Sequence, residues 1–163
     1  MALNEKSGVT AFYSQPHIRY HDYAITLKSQ ALPVKTVDDL RPWRMVAFQN
    51  ARDELGAGFH KVTEKHPQYT ETGQQVLQNR MLMKQAVDVV VADRLIFEHY
   101  QQLLARQGEP NLPVTYHDVF DPIEYKVAFN DAGLRDCFNK ALQHMKQTGD
   151  YQRIQSRYGV TAD

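Results

Sequence analysis

Two segments of the 163-residue chain place polar groups directly after strand-like runs. Asp93 follows the β-branched run 87–92. Four residues follow the apolar run 44–48: Gln49, Asn50, Ala51 and Arg52. A helix that begins after a strand presents free backbone N–H groups and the positive end of its dipole, so the second segment could hold a carboxylate, with Asn50 as the cap. A carboxylate such as Asp93 only accepts hydrogen bonds and therefore favours a cationic group. The predicted chemistry is ligand binding.

Two of these residues also have a purely structural explanation. Asp93 can cap the helix that begins near Leu95, and this role is compatible with ligand contact. Arg52 can be a second contact for an anionic ligand, or a solvated first-turn residue paired with a neighbour. Exposed arginines of the second kind are the more common. The sequence leaves both alternatives open.

The sequence lacks the common patterns of catalysis and metal binding. It contains no nucleophile elbow and no phosphate-binding loop. Cys137 is the single cysteine, which excludes an internal disulfide and a cysteine-built zinc site. His17 and His21 lie four apart, but in a non-helical stretch after Pro16 and without carboxylates at matching spacing. We therefore predict a protein that is not an enzyme, with no catalytic residue, no metal and no cofactor.

Composition and charge further limit the class of protein. Apolar residues make up 42% and charged residues 23% of the chain, as in folded globular proteins. The 19 basic residues equal the 19 acidic ones, so bulk charge does not favour nucleic acid as a partner. The apolar stretch 86–97 contains charged residues and is shorter than the roughly 20 residues that span a bilayer. Residues 1–8 lack a secretory signal, which leaves a cytosolic protein and a mature or trimmed form as alternatives.

Strand-like and helical patterns alternate along the chain. Strands are predicted at 23–27, 44–48, 87–92, 114–117 and 125–129, with a helical turn at 37–40. Helices are predicted at about 51–65, 72–85, 95–104, 131–147 and 150–157. The run 87–92 is almost uninterrupted, which is typical of a strand buried on both faces. The pattern predicts an α/β domain with a largely parallel sheet flanked by helices.

Four segments occur in an order that is typical of a known family. They are Phe12-Tyr13-Ser14-Gln15-Pro16 with the strand after it, Asp39-Leu40 with the strand 44–48, the run from Val87 to Asp93, and Leu134-Arg135-Asp136-Cys137-Phe138-Asn139-Lys140-Ala141-Leu142 with Gly149-Asp150-Tyr151-Gln152-Arg153-Ile154. In this order they resemble the extracytoplasmic solute-binding proteins of polar amino acid ABC transporters, which are two-lobed clamshells.

The resemblance implies a periplasmic-binding-protein-like lobe with the first lobe missing. Residues 1–22 would be a remnant of the first lobe and the first hinge crossing. Residues 23–125 would form the second ligand-binding lobe, and 126–163 the return crossing and C-terminal helices. The apolar surface of these helices would be covered by the missing first lobe or by a second copy of the chain in a homodimer.

The resemblance also implies a function. The chain would bind a small polar, amino-acid-like ligand in the periplasm and deliver it to the membrane subunits of an ABC transporter. A ligand-sensing domain of a signalling protein with the same fold is the alternative. Asp93 matches the family aspartate that accepts hydrogen bonds from a ligand ammonium. The family carries threonine hydroxyls for the ligand carboxylate where this chain has Asn50, Ala51 and Arg52, so the hydroxyl is missing.

Overall fold

A computed structural model of the chain describes residues 10–157. In chain order the strands are β1 (Phe12–Tyr13), β2 (Ile18–Tyr20), β3 (Asp22–Leu27), β4 (Met45–Phe48), β5 (Tyr69–Thr72), β6 (Val89–Asp93), β7 (Val114–His117), β8 (Ile123–Tyr125) and β9 (Ala128–Phe129). The helices are α1 (Ala51–Glu54), α2 (Gly56–Thr63), α3 (Gln75–Met83), α4 (Arg94–Arg106), α5 (Ala132–Gln147) and α6 (Asp150–Arg157). Two short 3-10 turns, Lys28–Gln30 and Val37–Leu40, lie between β3 and β4. No helix within the described range is long and apolar enough to cross a membrane.

The chain divides into two compact units. Residues His21–Asp121 form the first, which we call the lobe. The described residues on either side, 10–20 and 122–157, form the second, which we call the terminal unit.

The lobe is built on one five-stranded sheet with the order β5-β4-β6-β3-β7. Strand β4 runs parallel to β5 and β6, whereas β3 runs antiparallel to β6 and β7. The α/β lobe with flanking helices is confirmed, but the sheet is mixed rather than largely parallel. An apolar run predicts that a strand is buried and says nothing about its direction, which is why the orientation of β3 was not predicted.

Both faces of the sheet are covered by helices. On one face Val89 and Val91 pack with Phe59 and Val62 of α2. On the other face Val90 packs with side chains of the helices on the far side: Leu82 from α3 and Phe97 from α4. All five residues of β6 are buried, so the prediction of a strand buried on both faces is confirmed.

Several predicted boundaries differ from the structure. The predicted helix 51–65 is two helices, because Gly56, the first residue of α2, adopts a positive φ of 86° that interrupts the helix. The predicted helix 72–85 is α3, which is shorter, and the predicted strand 125–129 is split into β8 and β9. The edge strand β5 was not predicted at all. Its two central residues are exposed, so it lacks the apolar pattern that identifies a buried strand.

The terminal unit combines two small antiparallel strand pairs with two helices. Strand β1 pairs with β9, and β2 pairs with β8. Ser14 bridges to Val127, whose N–H donates to the Ser14 hydroxyl at 2.9 Å. The hydroxyl of Tyr151 donates to the carbonyl of His17. Leu142 is the only buried residue of α5, and α6 buries none.

We expect the chain to self-associate through the apolar side chains that α5 and α6 leave exposed, because exposed apolar patches mark interaction surfaces. Leu134 is 57% exposed and Ile154 43%. Light scattering over a concentration series should give a mass that rises with concentration. The double variant Leu134→Gln with Ile154→Gln should remain a monomer.

The control for this prediction is the double variant Leu77→Gln with Leu103→Gln. It removes two exposed leucines from α3 and α4 of the lobe and should associate as the wild type does. A wild-type chain that stays monomeric at the highest concentration contradicts the prediction.

Candidate functional site

The candidate site lies at one edge of the lobe's sheet. Strands β4 and β6 end at this edge, and their successors α1 and α4 begin there. Strand β3 begins at the same edge because it runs antiparallel to β6, so that Asp22 is the register partner of Asp93. We call Asp22 and Asp93 the acidic pair. Carboxyl ends of strands followed by helix starts are the usual position of ligand sites in α/β proteins.

Asp93 caps helix α4. Its Oδ1 accepts a hydrogen bond from the N–H of Ile96 at 3.0 Å, and its Oδ2 accepts one from the N–H of His21 at 3.1 Å. The capping explanation is therefore confirmed, and contact with a ligand stays a prediction. The residue is only 7% exposed. Burial raises the pKa of Asp93 above its ordinary value, although the hydrogen bonds from these amides oppose that effect.

Asp22 was not predicted as a site residue. It is 3% exposed, and directly opposite residues of an antiparallel pair project from the same face of the sheet. Burial raises the pKa of Asp22 to about 7, and the negative charges of Asp93 and Glu54 act in the same direction. Within residues 10–157 no hydrogen bond or ion pair to the Asp22 carboxyl group is found. The acidic pair therefore favours a bound proton or a bound cation.

The start of α1 already holds a carboxylate, and it belongs to the chain itself. Glu71 of β5 accepts hydrogen bonds from the N–H of Asn50 at 2.7 Å and from the N–H of Arg52 at 3.0 Å. The hydroxyl of Tyr69 donates a third at 2.6 Å. Burial acts to raise the pKa of Glu71, but these three hydrogen bonds outweigh it and hold the pKa below its ordinary value. The amides of this loop therefore hold a carboxylate of the chain itself, and ligand binding by the loop stays a prediction.

The other residues of this loop also differ from a simple capped helix start. Asn50 lies at the predicted N-cap position of α1, but it adopts a left-handed conformation, with φ 67°, and its side chain makes no capping hydrogen bond. Ala51 has its side chain in the core. The exposed Gln49 lies close to Gly73 in the loop after β5. Its Oε1 would be 3.0 Å from a Cβ atom added to that glycine.

Arg52 is paired within the lobe. Its Nη2 donates to the carbonyl of Thr63 at 3.0 Å, and its guanidinium carbon lies 5.2 Å from the centre of the Tyr69 ring. Its Nε is buried and has no hydrogen-bond partner among the described residues. Of the two explanations for Arg52, pairing with neighbours is the one observed, although the side chain is half-buried rather than solvated.

The two histidines whose spacing was tested against a metal site belong to different units. His17 lies in the terminal unit and His21 in the lobe. The ring of His21 contacts Asp118 at 2.9 Å and the hydroxyl of Tyr23 at 3.1 Å. In the part of the chain that the structure describes, no three metal-ligating side chains come together.

Comparison with known proteins identifies the fold. No protein-family model matches the sequence, and no curated protein matches it. Among solved structures, an ancestral arginine-binding protein bound to glutamine is 21% identical with a TM-score of 0.73, over 97% of this chain and 68% of that one. The arginine-, lysine-, histidine-binding protein ArtJ from Geobacillus stearothermophilus is 19% identical with a TM-score of 0.71, over 100% and 69%. A histidine kinase sensor domain with similarity to periplasmic binding proteins is 16% identical with a TM-score of 0.71, over 97% and 67%.

The chain therefore has the periplasmic-binding-protein-like fold that its motifs resemble. It spans about two thirds of the length of the structures it matches. At these identities the similarity shows the fold alone, because one fold carries many functions.

We expect the folding stability to report the ionisation of Asp22. Its pKa is 3.8 in an unfolded chain and about 7 in the fold, so the fold favours the protonated group. This stabilisation is complete below about pH 4 and is lost as the pH rises through 7. Asp22→Asn keeps a neutral group at every pH. Relative to the wild type, the variant should gain stability from pH 4 to 7 and then level off at about 2–4 kcal/mol.

The measurement is urea unfolding of the wild type and the variant at a series of pH values. Glu64→Gln is the matched control, because it removes one exposed carboxylate of the lobe at the C-terminal end of α2. Its stability difference from the wild type should not change with pH. If Asp22→Asn shows the same flat difference, the raised pKa is wrong.

Proposed function

We propose that the chain is the ligand-binding part of an extracytoplasmic receptor, which binds a small polar, amino-acid-like solute and passes it to the membrane subunits of an ABC transporter. The observation that carries the proposal is Asp93. It is a buried carboxylate at the end of the central strand, at the edge where ligands bind in this kind of fold. The similarity of the fold to arginine-binding proteins supports it.

In this proposal the lobe binds by hydrogen bonds and charge, without chemistry. Asp93 accepts from a ligand ammonium while it continues to cap α4, since each of its oxygens has more than one acceptor position. The loop of Gln49, Asn50, Ala51 and Arg52 lies beside it at the end of β4. A first lobe closing over the ligand would exclude water and strengthen the ion pair. The receptor would act in the periplasm, with residues 23–125 as its second lobe.

A sensor is the second candidate function. The histidine kinase sensor domain among the similar structures favours it. In that case the same edge would bind a ligand and transmit the event to a signalling segment. The full-length gene separates the two candidates. A signalling segment encoded after residue 163 supports the sensor, and a stop codon there supports the transport receptor.

The test of the binding proposal is Asp93→Asn. Titration of the ¹⁵N-labelled chain with millimolar arginine, lysine, agmatine and cadaverine, followed by NMR, should shift the amide signals of His21, Asp93 and Ile96. The variant should weaken this binding at least about fivefold, because an ammonium loses its charged partner. Its cap should remain, because asparagine caps helices about as well as aspartate.

The matched control is Asp131→Asn. Asp131 caps α5 in the same way, accepting from the N–H of Leu134 at 2.8 Å, but it lies in the terminal unit. It should leave binding unchanged. If no compound shifts the edge amides, or if both variants bind as the wild type does, the proposed site is wrong.

A further inference from the structure

The position where this lobe could hold a ligand carboxylate is filled. The N–H groups of Asn50 and Arg52 at the start of α1 both donate to Glu71. The short bond from Tyr69 completes a set of three donors around one carboxylate. A ligand carboxylate could use these two amides only by displacing Glu71, which would then lose both of these hydrogen bonds.

Arg52, the cationic residue of the same loop, is also engaged. Arg52 donates to the carbonyl of Thr63 and lies over the ring of Tyr69. Its Nε is enclosed by the protein and reaches no acceptor among the described residues. The guanidinium therefore serves the packing between α1, α2 and β5, and it does not present a charge to a ligand anion.

The acidic pair, in contrast, includes a carboxyl group without a hydrogen-bond donor among the described residues. Asp22 is buried, faces Asp93 across the β3–β6 pairing, and has no hydrogen bond or ion pair within residues 10–157. Register partners in an antiparallel pair have Cβ atoms about 4.5–5.5 Å apart, and like charges at that separation are destabilising. Two facing carboxylates have a favourable arrangement when one cation lies between them or beside them.

From these three observations we infer that the ligand presents a cationic amine or guanidine to this lobe and no carboxylate. The inference rests on the proposed function, because it takes the edge as the binding site, and it adds the ligand class. Glu71 takes the place of the ligand's own carboxylate. The class includes decarboxylated amino acids and amino acids whose carboxylate points away from this lobe.

The probes that test the inference are agmatine and arginine, which share the guanidinium and differ in the carboxylate. The full 163-residue chain is titrated with each by NMR, and the ratio of the two dissociation constants is the readout. The wild type should bind agmatine more tightly than arginine. Both probes should shift the amide signals of His21 and Asp93. The amide signals of Asn50 and Arg52 should not distinguish arginine from agmatine.

The decisive variant is Glu71→Ala, which frees both amides. It should move the ratio towards arginine by about tenfold, and the amides of Asn50 and Arg52 should now shift with arginine. Because agmatine carries one more positive net charge than arginine, the control must remove a negative charge elsewhere. Glu64→Ala does so from an exposed position at the end of α2, and it should leave the ratio unchanged.

Folding of the variants does not limit the test. If Glu71→Ala is unfolded, Glu71→Gln removes the charge and keeps the side-chain shape, and it should move the ratio in the same direction by a smaller factor. The wild type also provides an independent measurement, because sodium acetate should cause no saturable shift at Asn50 and Arg52.

Three results overturn the inference, and they are distinguishable from one another. If the wild type binds arginine more tightly than agmatine and the amides of Asn50 and Arg52 shift, the ligand class is wrong and the proposed function stands. If Glu64→Ala and Glu71→Ala change the ratio equally, the preference for agmatine depends only on the net charge of the chain. The absence of any shift at His21 and Asp93 with either probe rejects the proposed function, and the ligand class with it.

Discussion

The antiparallel pairing of β3 with β6 is the constraint on which the candidate site depends. Five register pairs run from Asp22 opposite Asp93 to Thr26 opposite Val89. Because β6 is buried along its whole length, a shift of this register by one residue would turn each side chain of one strand to the opposite face and disrupt the packing in both cores. The apolar packing therefore fixes the register, and the register in turn brings two carboxyl groups together. The hydrophobic core stabilises an electrostatic arrangement that is unfavourable by itself.

Two carboxyl groups at this edge of the sheet have pKa values that are shifted in opposite directions. Glu71 on β5 receives three hydrogen bonds, and its pKa is lowered. Asp22 on β3 is more deeply buried and faces two other carboxylates, and its pKa is raised. The difference lies in the burial and the donors and not in the residue type, since a carboxyl group that is removed from water stays ionised only where N–H or O–H groups replace that water. At this edge the backbone N–H groups of the two helix starts donate to Glu71 and Asp93, whereas no hydrogen bond to the Asp22 carboxyl group is found among residues 10–157.

The fold alone does not choose between transport and sensing. Similar structures include amino-acid-binding proteins and a kinase sensor domain, and all cover almost the whole of this chain. Ligand preference in such a fold depends on a few side chains at the strand ends. In this chain the side chains at the strand ends include an acid at the start of β3 and a glutamate on β5 that accepts hydrogen bonds from the start of α1.

The sequence by itself determined the features that local spacing encodes. The β-branched run identified β6, and the aspartate at its end identified the cap of α4, because a cap contacts an amide only three residues away. The order of the motifs identified the fold. A loop that offers amides to a carboxylate was also readable, because it depends only on a helix that follows a strand.

Tertiary structure alone decided which groups meet at the edge. The amide of Asn50 and its acceptor Glu71 are 21 residues apart, and Glu71 lies on an edge strand with no apolar pattern. Asp22 stands before an apolar run like any polar residue at a strand end, and its burial beside Asp93 follows only from the direction of β3. Strand direction and pairing depend on the packing of the whole core rather than on any local sequence. The neighbours of a charged group, and hence the direction in which its pKa shifts, could therefore be read only from the folded chain.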